Sequence, residues 1–300
     1  MYSDNSDDPL PAPARLMLRR FDVHRASTLE EAIALRARFG EDAALYAGGT
    51  ELLLAMKLGV ARWPHLIDLK PIPGLAAVHA TATVLRIGST ATHWDLERDG
   101  EVARILPAFA ALERNVANIR VRAAGTIGGN LAFAEPHADP PALLLALGAK
   151  VLLQGPHGTR ALPIDEFIVG MYQTALGPEE IIVAIEIPLP APGVRAAYVK
   201  FQVIERPSVG VAVVAKLRDG RFDGPPTVVV GAVDELPRRV ATAELAGADA
   251  SDPRIAEALA TAARAAVDPS ADLAGSATYK RHLVGVFARR ALTALLAEAA

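Results

Sequence analysis

The chain has 300 residues, 51% hydrophobic and 22% charged, which suggests about two domains with sizeable cores and argues against extensive disorder. Its net charge of −3 comes without a basic run, so nucleic acid is not expected as the main partner, and no apolar stretch reaches the roughly 18–20 residues of a membrane span. It has no cysteine, which excludes a disulfide, a Cys-ligated zinc, a thiolate nucleophile, an iron–sulfur cluster or a cysteinyl cofactor link in this chain.

Residues 1–14 are polar, acidic and proline-rich and read as a flexible tail. They lack the basic start and apolar core of a secretory signal, which favours the cytoplasm. Leu16–Val23 reads as an opening strand. Ser27 and Thr28 precede Glu30 and Glu31 at capping-box spacing, so a helix follows with Leu29, Ile33 and Leu35 among its apolar positions. Ala43–Ala47 is a short apolar strand stopped by Gly48-Gly49. A helix over Thr50–Leu58 and a strand over His65–Leu69 complete a β-α-β-α-β unit, ended by Pro71 and Pro73.

Leu85–Gly88 reads as a strand and Thr92–Arg98 as a short helix. Glu101–Val116 reads as one longer helix with Val102, Ile105, Leu106, Phe109 and Leu112 on one face. A segment rich in glycine and small residues spans Asn118–Asp139, and Pro140–Leu147 is helical. Val151–Leu153 and Ile181–Ile187 are strands separated by a loop-rich region. Pro188–Gly193 reads as a linker. Beyond it, Ala196–Ile204, Val209–Leu217 and Thr227–Val233 suggest a meander of about three antiparallel strands, followed by helices over Asp252–Ala266 and Ala277–Ala297. The expected boundaries are therefore a first domain over 15–190, with subdomains of about 15–70 and 71–190, and a C-terminal domain over 195–297.

The common catalytic signatures are missing. There is no G-x-G-x-x-G, no P-loop and no G-x-S-x-G elbow, and no two of the seven histidines lie within four residues of each other. Two segments carry a different signal: Leu45-Tyr46-Ala47-Gly48-Gly49-Thr50-Glu51-Leu52 and Ala124-Gly125-Thr126-Ile127-Gly128-Gly129-Asn130-Leu131. Each joins adjacent glycines to hydroxyl or amide side chains. Glycines let the backbone approach an anion closely, and successive N–H groups can form a concave nest for a phosphate. The first segment also leads into a helix N-terminus. Taken alone, either Gly-Gly reads equally well as a plain turn.

The sequence resembles the FAD-binding medium subunit of molybdenum hydroxylases, the type found in carbon monoxide dehydrogenase and as the flavin domain of xanthine dehydrogenase. The strings that carry the resemblance are Ala47-Gly48-Gly49-Thr50 with Met56-Lys57, Ile119-Arg120-Val121-Arg122 with Gly125-Thr126-Ile127-Gly128-Gly129-Asn130-Leu131, and Ala134-Glu135-Pro136-His137-Ala138-Asp139-Pro140-Pro141. Glu179-Glu180-Ile181-Ile182, Tyr198-Val199-Lys200-Phe201 and Tyr279-Lys280-Arg281-His282-Leu283 extend it over about residues 16–296.

The resemblance implies an α+β fold: a two-subdomain FAD-binding domain of the PCMH type, then a C-terminal domain of antiparallel sheet and helices. It implies non-covalent FAD, with Ala47, Gly48, Gly49, Thr50 and Glu51 lining the first phosphate loop and Thr126, Gly128, Gly129 and Asn130 forming the second. Ile127 would pack near the flavin, Asp139 would bond the ribityl or adenosine side, Ile182 would cover the flavin and Lys200 would lie near its polar edge. The implied partners are a large molybdopterin-binding subunit and a small subunit with two [2Fe–2S] clusters, as a dimer of heterotrimers. Electrons would pass from the clusters through FAD to NAD, a quinone or oxygen, with no acid–base residue of this chain involved. Some relatives hold an iron–sulfur cluster in this subunit; a chain without cysteine does not.

The residues leave alternatives open. Asp139 before Pro140 also reads as a helix N-cap. Lys200 also reads as a solvated strand lysine, and Arg120 and Arg122 as flanking surface residues. His137 reads as a loop residue, and Trp63 and Trp94 as packing anchors. A stand-alone flavin oxidoreductase and a non-catalytic nucleotide-binding assembly subunit are the rival functions. On the nest reading, Gly128→Val is expected to abolish flavin retention with modest effect on folding.

Overall fold

A computed structural model describes residues 18–203 and 205–297. The expected tail, the first two residues of the opening strand and Ile204 lie outside the described residues. Among the described residues, no helix is long and apolar enough to cross a membrane.

The first unit forms in the expected element order, but its opening strand runs Asp22–Arg25 instead of Leu16–Val23: residues 18–21 are not strand. Strands Asp22–Arg25, Ala43–Tyr46 and His65–Asp68 make a parallel three-stranded sheet with His65–Asp68 in the middle. Parallel neighbours need crossovers, supplied by helices Leu29–Phe39 and Leu52–Lys57. Thr28 caps the first helix, accepting from the Glu31 amide, while the Glu31 carboxylate accepts from the Ser27 amide at 2.8 Å. The second helix starts at Leu52, two residues later than expected.

The second sheet is antiparallel, in the order Val78–Ala80, Val84–Gly88, Ile181–Pro188, Lys150–Gly155, Gly158–Pro163. Its central strand, Ile181–Pro188, is almost wholly buried. The region expected as loop between Lys150–Gly155 and Ile181–Pro188 holds strand Gly158–Pro163, helix Ile164–Phe167 and the small hairpin Ile168–Gly170/Gln173–Thr174. Gly158–Pro163 is largely exposed, so it carries no apolar alternation to announce it.

The helix expected over Glu101–Val116 is two helices, Gly100–Ile105 and Pro107–Arg114. Pro107 has no N–H to continue the ladder and starts the second helix instead, with Leu106 extended at φ −134° and ψ 67°. The glycine-rich stretch from Asn118 to Asp139 also contains two helices, Ile119–Ala124 and Ile127–Phe133, capped by Asn118 and Thr126.

The third sheet holds the expected meander, Val194–Gln202, Pro207–Arg218 and Thr227–Gly231, with a two-residue fourth strand, Arg238–Arg239. Helices Pro253–Ala265 and Ala277–Ala297 cover it through Val209, Val211, Val213, Phe287 and Leu292. Helix Pro140–Ala146 is buried on every side and packs against this sheet, so one apolar core runs from Leu85 and Ile87 of the second sheet to Ala212 and Val229 of the third.

The packing of helix Ile127–Phe133 changes the expectation for Gly128. A Cβ there would lie 2.6 Å from the Ser89 carbonyl oxygen and 2.7 Å from the Ser89 Cβ. Gly128 is therefore needed for contact between helix and strand end, not to leave room for a phosphate. Gly128→Val should destabilise the flavin-free chain itself, by at least the ~1–3 kcal/mol typical of overpacking. Denaturant unfolding of the apoprotein checks this, and unchanged stability would contradict it.

Candidate functional site

The two glycine segments touch. A Cβ on Gly48 would lie 2.1 Å from the Ala124 carbonyl oxygen and 2.9 Å from the Gly125 Cα, so only glycine fits at 48. Gly49 sits at φ 71°, a conformation that favours glycine. Together the segments wall an open cleft of about 270 Å³.

Eleven of the thirteen residues singled out from sequence line that cleft. Ala47, Gly48, Gly49, Thr50 and Glu51 form one wall; Thr126, Gly128, Gly129, Asn130, Asp139 and Ile182 line the remainder. Ile127 is instead buried in the core beneath, and Lys200 stands behind Asp139.

The two segments differ in what their amides do. Among the described residues, the N–H groups of Gly48, Gly49, Thr50 and Glu51 have no protein acceptor, and all four residues line the cleft. In the second segment the amides are engaged. Ile127 donates to Ala91 O at 3.0 Å, Gly128 to Ser89 O at 2.9 Å, Gly129 to Thr126 Oγ1 at 3.1 Å and Asn130 to Thr126 O at 2.9 Å. The expectation of two bare nests is corrected to one. The second segment offers side chains: Asn130 Oδ1, and Ser89 Oγ from the strand beside it, are buried cleft-wall atoms without a partner. Buried polar atoms are ordinarily hydrogen-bonded, so free amides together with orphaned oxygens fit a bound ligand rich in both acceptors and donors. A dinucleotide cofactor, with its diphosphate and hydroxyls, is such a ligand. No group of His, Cys, Asp and Glu able to hold a metal occurs among the described residues.

At the inner end, Asp139 does not cap its helix: it is itself helical, at φ −71° and ψ −49°, and makes no cap hydrogen bond. Its carboxylate accepts from Tyr198 Oη at 2.8 Å and Lys200 Nζ at 2.9 Å. Lys200 Nζ also donates to Asn115 O at 2.6 Å, so this lysine is bound rather than solvated. Burial pushes the Asp139 carboxyl above its ordinary range despite these partners, and burial with the adjacent Asp139 carries the Tyr198 phenol well up.

At the mouth, Arg206 bridges Glu51 at 2.8 Å and Glu135, joining the first glycine segment to the residues just past helix Ile127–Phe133. Glu135 also accepts from Tyr172 at 3.0 Å and pairs with His137 at 2.9 Å, and His137 Nε2 lies 3.6 Å from Asp272. Burial alone would raise the Glu135 carboxyl, but His137, Arg206 and Tyr172 together hold it down at about 2. Sequence reasoning missed Ser89, His93, Glu135 and Arg206. Glu135 lies within the Ala134–Pro141 string, but nothing in its spacing marks a contact with Arg206. Arg122 pairs with Glu97 at 2.8 Å and Arg120 is exposed outside the cleft, so neither lines it. Trp63 packs beside Met56 and Leu66, and Trp94 lies under the Arg98 guanidinium.

A parallel β-α-β unit and an antiparallel sheet, meeting at a cleft between two glycine segments and backed by a third sheet, define a nucleotide-cofactor-binding protein. The chain belongs to the FAD-binding medium subunits of the molybdenum hydroxylase family. The FAD binding domain in molybdopterin dehydrogenase matches residues 19–190, and the CO dehydrogenase flavoprotein C-terminal domain matches residues 205–295. The carbon monoxide dehydrogenase medium chain of Hydrogenophaga pseudoflava is 35% identical over 94% of this chain and 99% of its own. The nicotine 6-hydroxylase medium subunit of Paenarthrobacter nicotinovorans is 34% identical over 84% of this chain and 89% of its own. The solved structure of the Hydrogenophaga pseudoflava carbon monoxide dehydrogenase superposes with a TM-score of 0.90 over 95% of this chain and 100% of that one, at 35% identity. The chain is thus an FAD-binding oxidoreductase subunit.

Two outcomes follow from the polar groups. With a folded value of about 2 against an ordinary 4.5, Glu135 binds its proton more weakly in the folded chain than in the unfolded one. Its stabilisation is complete above pH 4.5 and is lost as pH falls from there toward 2. Glu135→Gln should flatten the acid limb of a Tm–pH profile in that window; an unaltered limb contradicts the network. Lys200→Met leaves Asp139 buried and unpaired, at an expected cost of ~3–5 kcal/mol in denaturant unfolding. Adding Asp139→Asn should restore most of it, and a single variant within about 1 kcal/mol of the parent contradicts the pairing.

Proposed function

We propose that this chain is the electron-transfer flavoprotein subunit of a heteromeric molybdenum hydroxylase. When bound, FAD supplies the redox chemistry, taking electrons from [2Fe–2S] clusters on a small partner subunit and delivering them to an external acceptor such as NAD, a quinone or oxygen. Molybdopterin belongs to a large partner subunit, the assembly is a dimer of heterotrimers, and the complex is cytoplasmic. The substrate is that of the large subunit.

The observation that carries this reading is the cleft whose one wall presents four unpartnered amides while the opposite wall presents orphaned Ser89 Oγ and Asn130 Oδ1. The Gly48–Glu51 amides bind the diphosphate, each hydrogen bond to a charged group contributing about 1.5–3 kcal/mol. Thr126 and Gly129 keep the second wall rigid through the helix cap, and Asn130 and Ser89 orient the cofactor's hydroxyls. Asp139 accepts from the ribityl or adenosine side, with Lys200 behind it placing positive charge near the flavin's polar edge. Ile182, on the central strand of the second sheet, covers the ring with an apolar surface, and Ile127 supports that surface from below. The domains divide at 15–190 and 195–297, the first into subdomains over about 15–70 and 71–190.

The full chain, purified alone and loaded with FAD, should be yellow, bleach with dithionite and release all its flavin on denaturation, yet turn over no small substrate without partners. A chain with no affinity for flavin favours the assembly role instead. A chain whose flavin is reduced by a small organic substrate without partner subunits favours a stand-alone oxidoreductase.

A further inference from the structure

One buried polar side chain on the cleft wall, outside the glycine segments, has its hydrogen bonding half complete. His93 is 2% exposed and opens helix His93–Arg98 immediately after the N-cap Thr92, within the Thr92–Asp95 capping box. Its Nδ1 lies 2.5 Å from Glu113 Oε2. Glu113 sits on helix Pro107–Arg114 and is wholly buried, and its other oxygen, Oε1, has no partner. Among the described residues, Nε2 of His93 has no partner either.

The ring is aimed where the two glycine segments meet. A Cβ at Gly125 would lie 3.3 Å from His93 Cδ2 and 3.5 Å from Thr50 Oγ1, while Gly48 packs on the same Gly125 Cα. In imidazole, Cδ2 and Nε2 are bonded neighbours. The ring edge that carries the free nitrogen therefore lies close to Gly125, where the two segments meet, and His93 lines the cleft. The backbone fixes this placement, since the His93 amide donates to Gly125 O at 3.0 Å.

The charge around the cleft sharpens the case. Its acidic lining residues are Glu51, Glu135, Asp139 and Glu205, and its one lining Arg or Lys among the described residues, Arg206, is already bonded to Glu51 and Glu135. A dianionic diphosphate finds no free lysine or arginine there.

We propose that His93 is an anion-binding residue of this cleft, donating from Nε2 to the cofactor's diphosphate while Glu113 holds the ring by Nδ1. The inference rests on the FAD reading. A carboxylate and a phosphate offer only acceptors to the two nitrogens. With Nδ1 held by Glu113, donation to the diphosphate is the case in which Nε2 carries a hydrogen. Glu113 is then a positioning residue, fixing ring orientation and tautomer from the interior.

The test uses the full chain stripped of flavin and titrated separately with FAD, ADP and riboflavin. FAD and ADP carry the diphosphate; riboflavin carries the ring and ribityl chain without it. His93→Gln should weaken FAD and ADP by about ten- to a hundredfold, the worth of a hydrogen bond to a charged group, and leave riboflavin within about twofold. Glu113→Gln, which loosens the ring, should shift FAD and ADP in the same direction and spare riboflavin. In the unaltered chain, the Nε2 resonance of His93 should move on adding ADP and stay in place with riboflavin, a readout that needs no variant. Unchanged FAD and ADP affinity in His93→Gln, equal losses for all three ligands, or an Nε2 signal indifferent to ADP would each overturn the assignment. An unaltered chain that binds none of the three overturns the FAD reading itself, and the His93 assignment with it.

Discussion

The contact on which the site depends is the one between Gly48 and the backbone of Ala124 and Gly125. With a would-be Cβ 2.1 Å from a carbonyl oxygen, no side chain is tolerated there, and the two chain segments approach to backbone contact. That approach turns two separate turns into the walls of one cleft. It also sets an asymmetry between them. The second segment is stitched to Ser89–His93 by Gly128 N to Ser89 O, Ile127 N to Ala91 O and His93 N to Gly125 O, so it is a rigid floor. The first segment is held through carbonyls instead, Tyr46 O accepting from Leu69 N and Ala47 O from Lys70 Nζ, and the amides of Gly48–Glu51 have no protein acceptor among the described residues.

The surroundings of the cleft connect its parts to the rest of the chain. Asp139, at the head of a fully buried helix, reaches Tyr198 and Lys200 on the third sheet. Arg206, beyond the same strand, reaches back to Glu51 and Glu135. The C-terminal region therefore contributes charge and hydrogen bonds to a cleft built by the N-terminal region. Burial makes these contacts consequential: a buried carboxylate without its partner is expensive, whereas surface ion pairs such as Arg254–Asp252 contribute little.

Much of this was legible in the sequence where local chemistry decides. The capping residues before Leu29–Phe39, the proline and glycine stops and the period-2 strands of the meander mark their elements without tertiary help. The glycine strings and the family resemblance led to residues of which most line the cleft. What was not legible depends on neighbours far away in the chain. Pro107 splits a helix that apolar periodicity alone joins. Gly158–Pro163 is exposed and carries no alternation. That the amides of Ile127 and Gly128 are engaged follows from the Ala91 and Ser89 carbonyls, about 40 residues away, which no local pattern announces, whereas those of Gly129 and Asn130 go to Thr126 in their own helix cap. His93 and Glu113 lie 20 residues apart, each unremarked in its own segment, and only the fold makes them a pair.

The central claim is that the free amides of Gly48–Glu51, and not those of Ile127–Asn130, receive the diphosphate. Amide proton shifts of the full chain, recorded before and after adding FAD, address it directly. The account predicts large downfield displacements for Gly48, Gly49, Thr50 and Glu51, with Ile127, Gly128 and Gly129 keeping the positions set by their protein acceptors. Displacements confined to 127–129, with 48–51 unmoved, would contradict it.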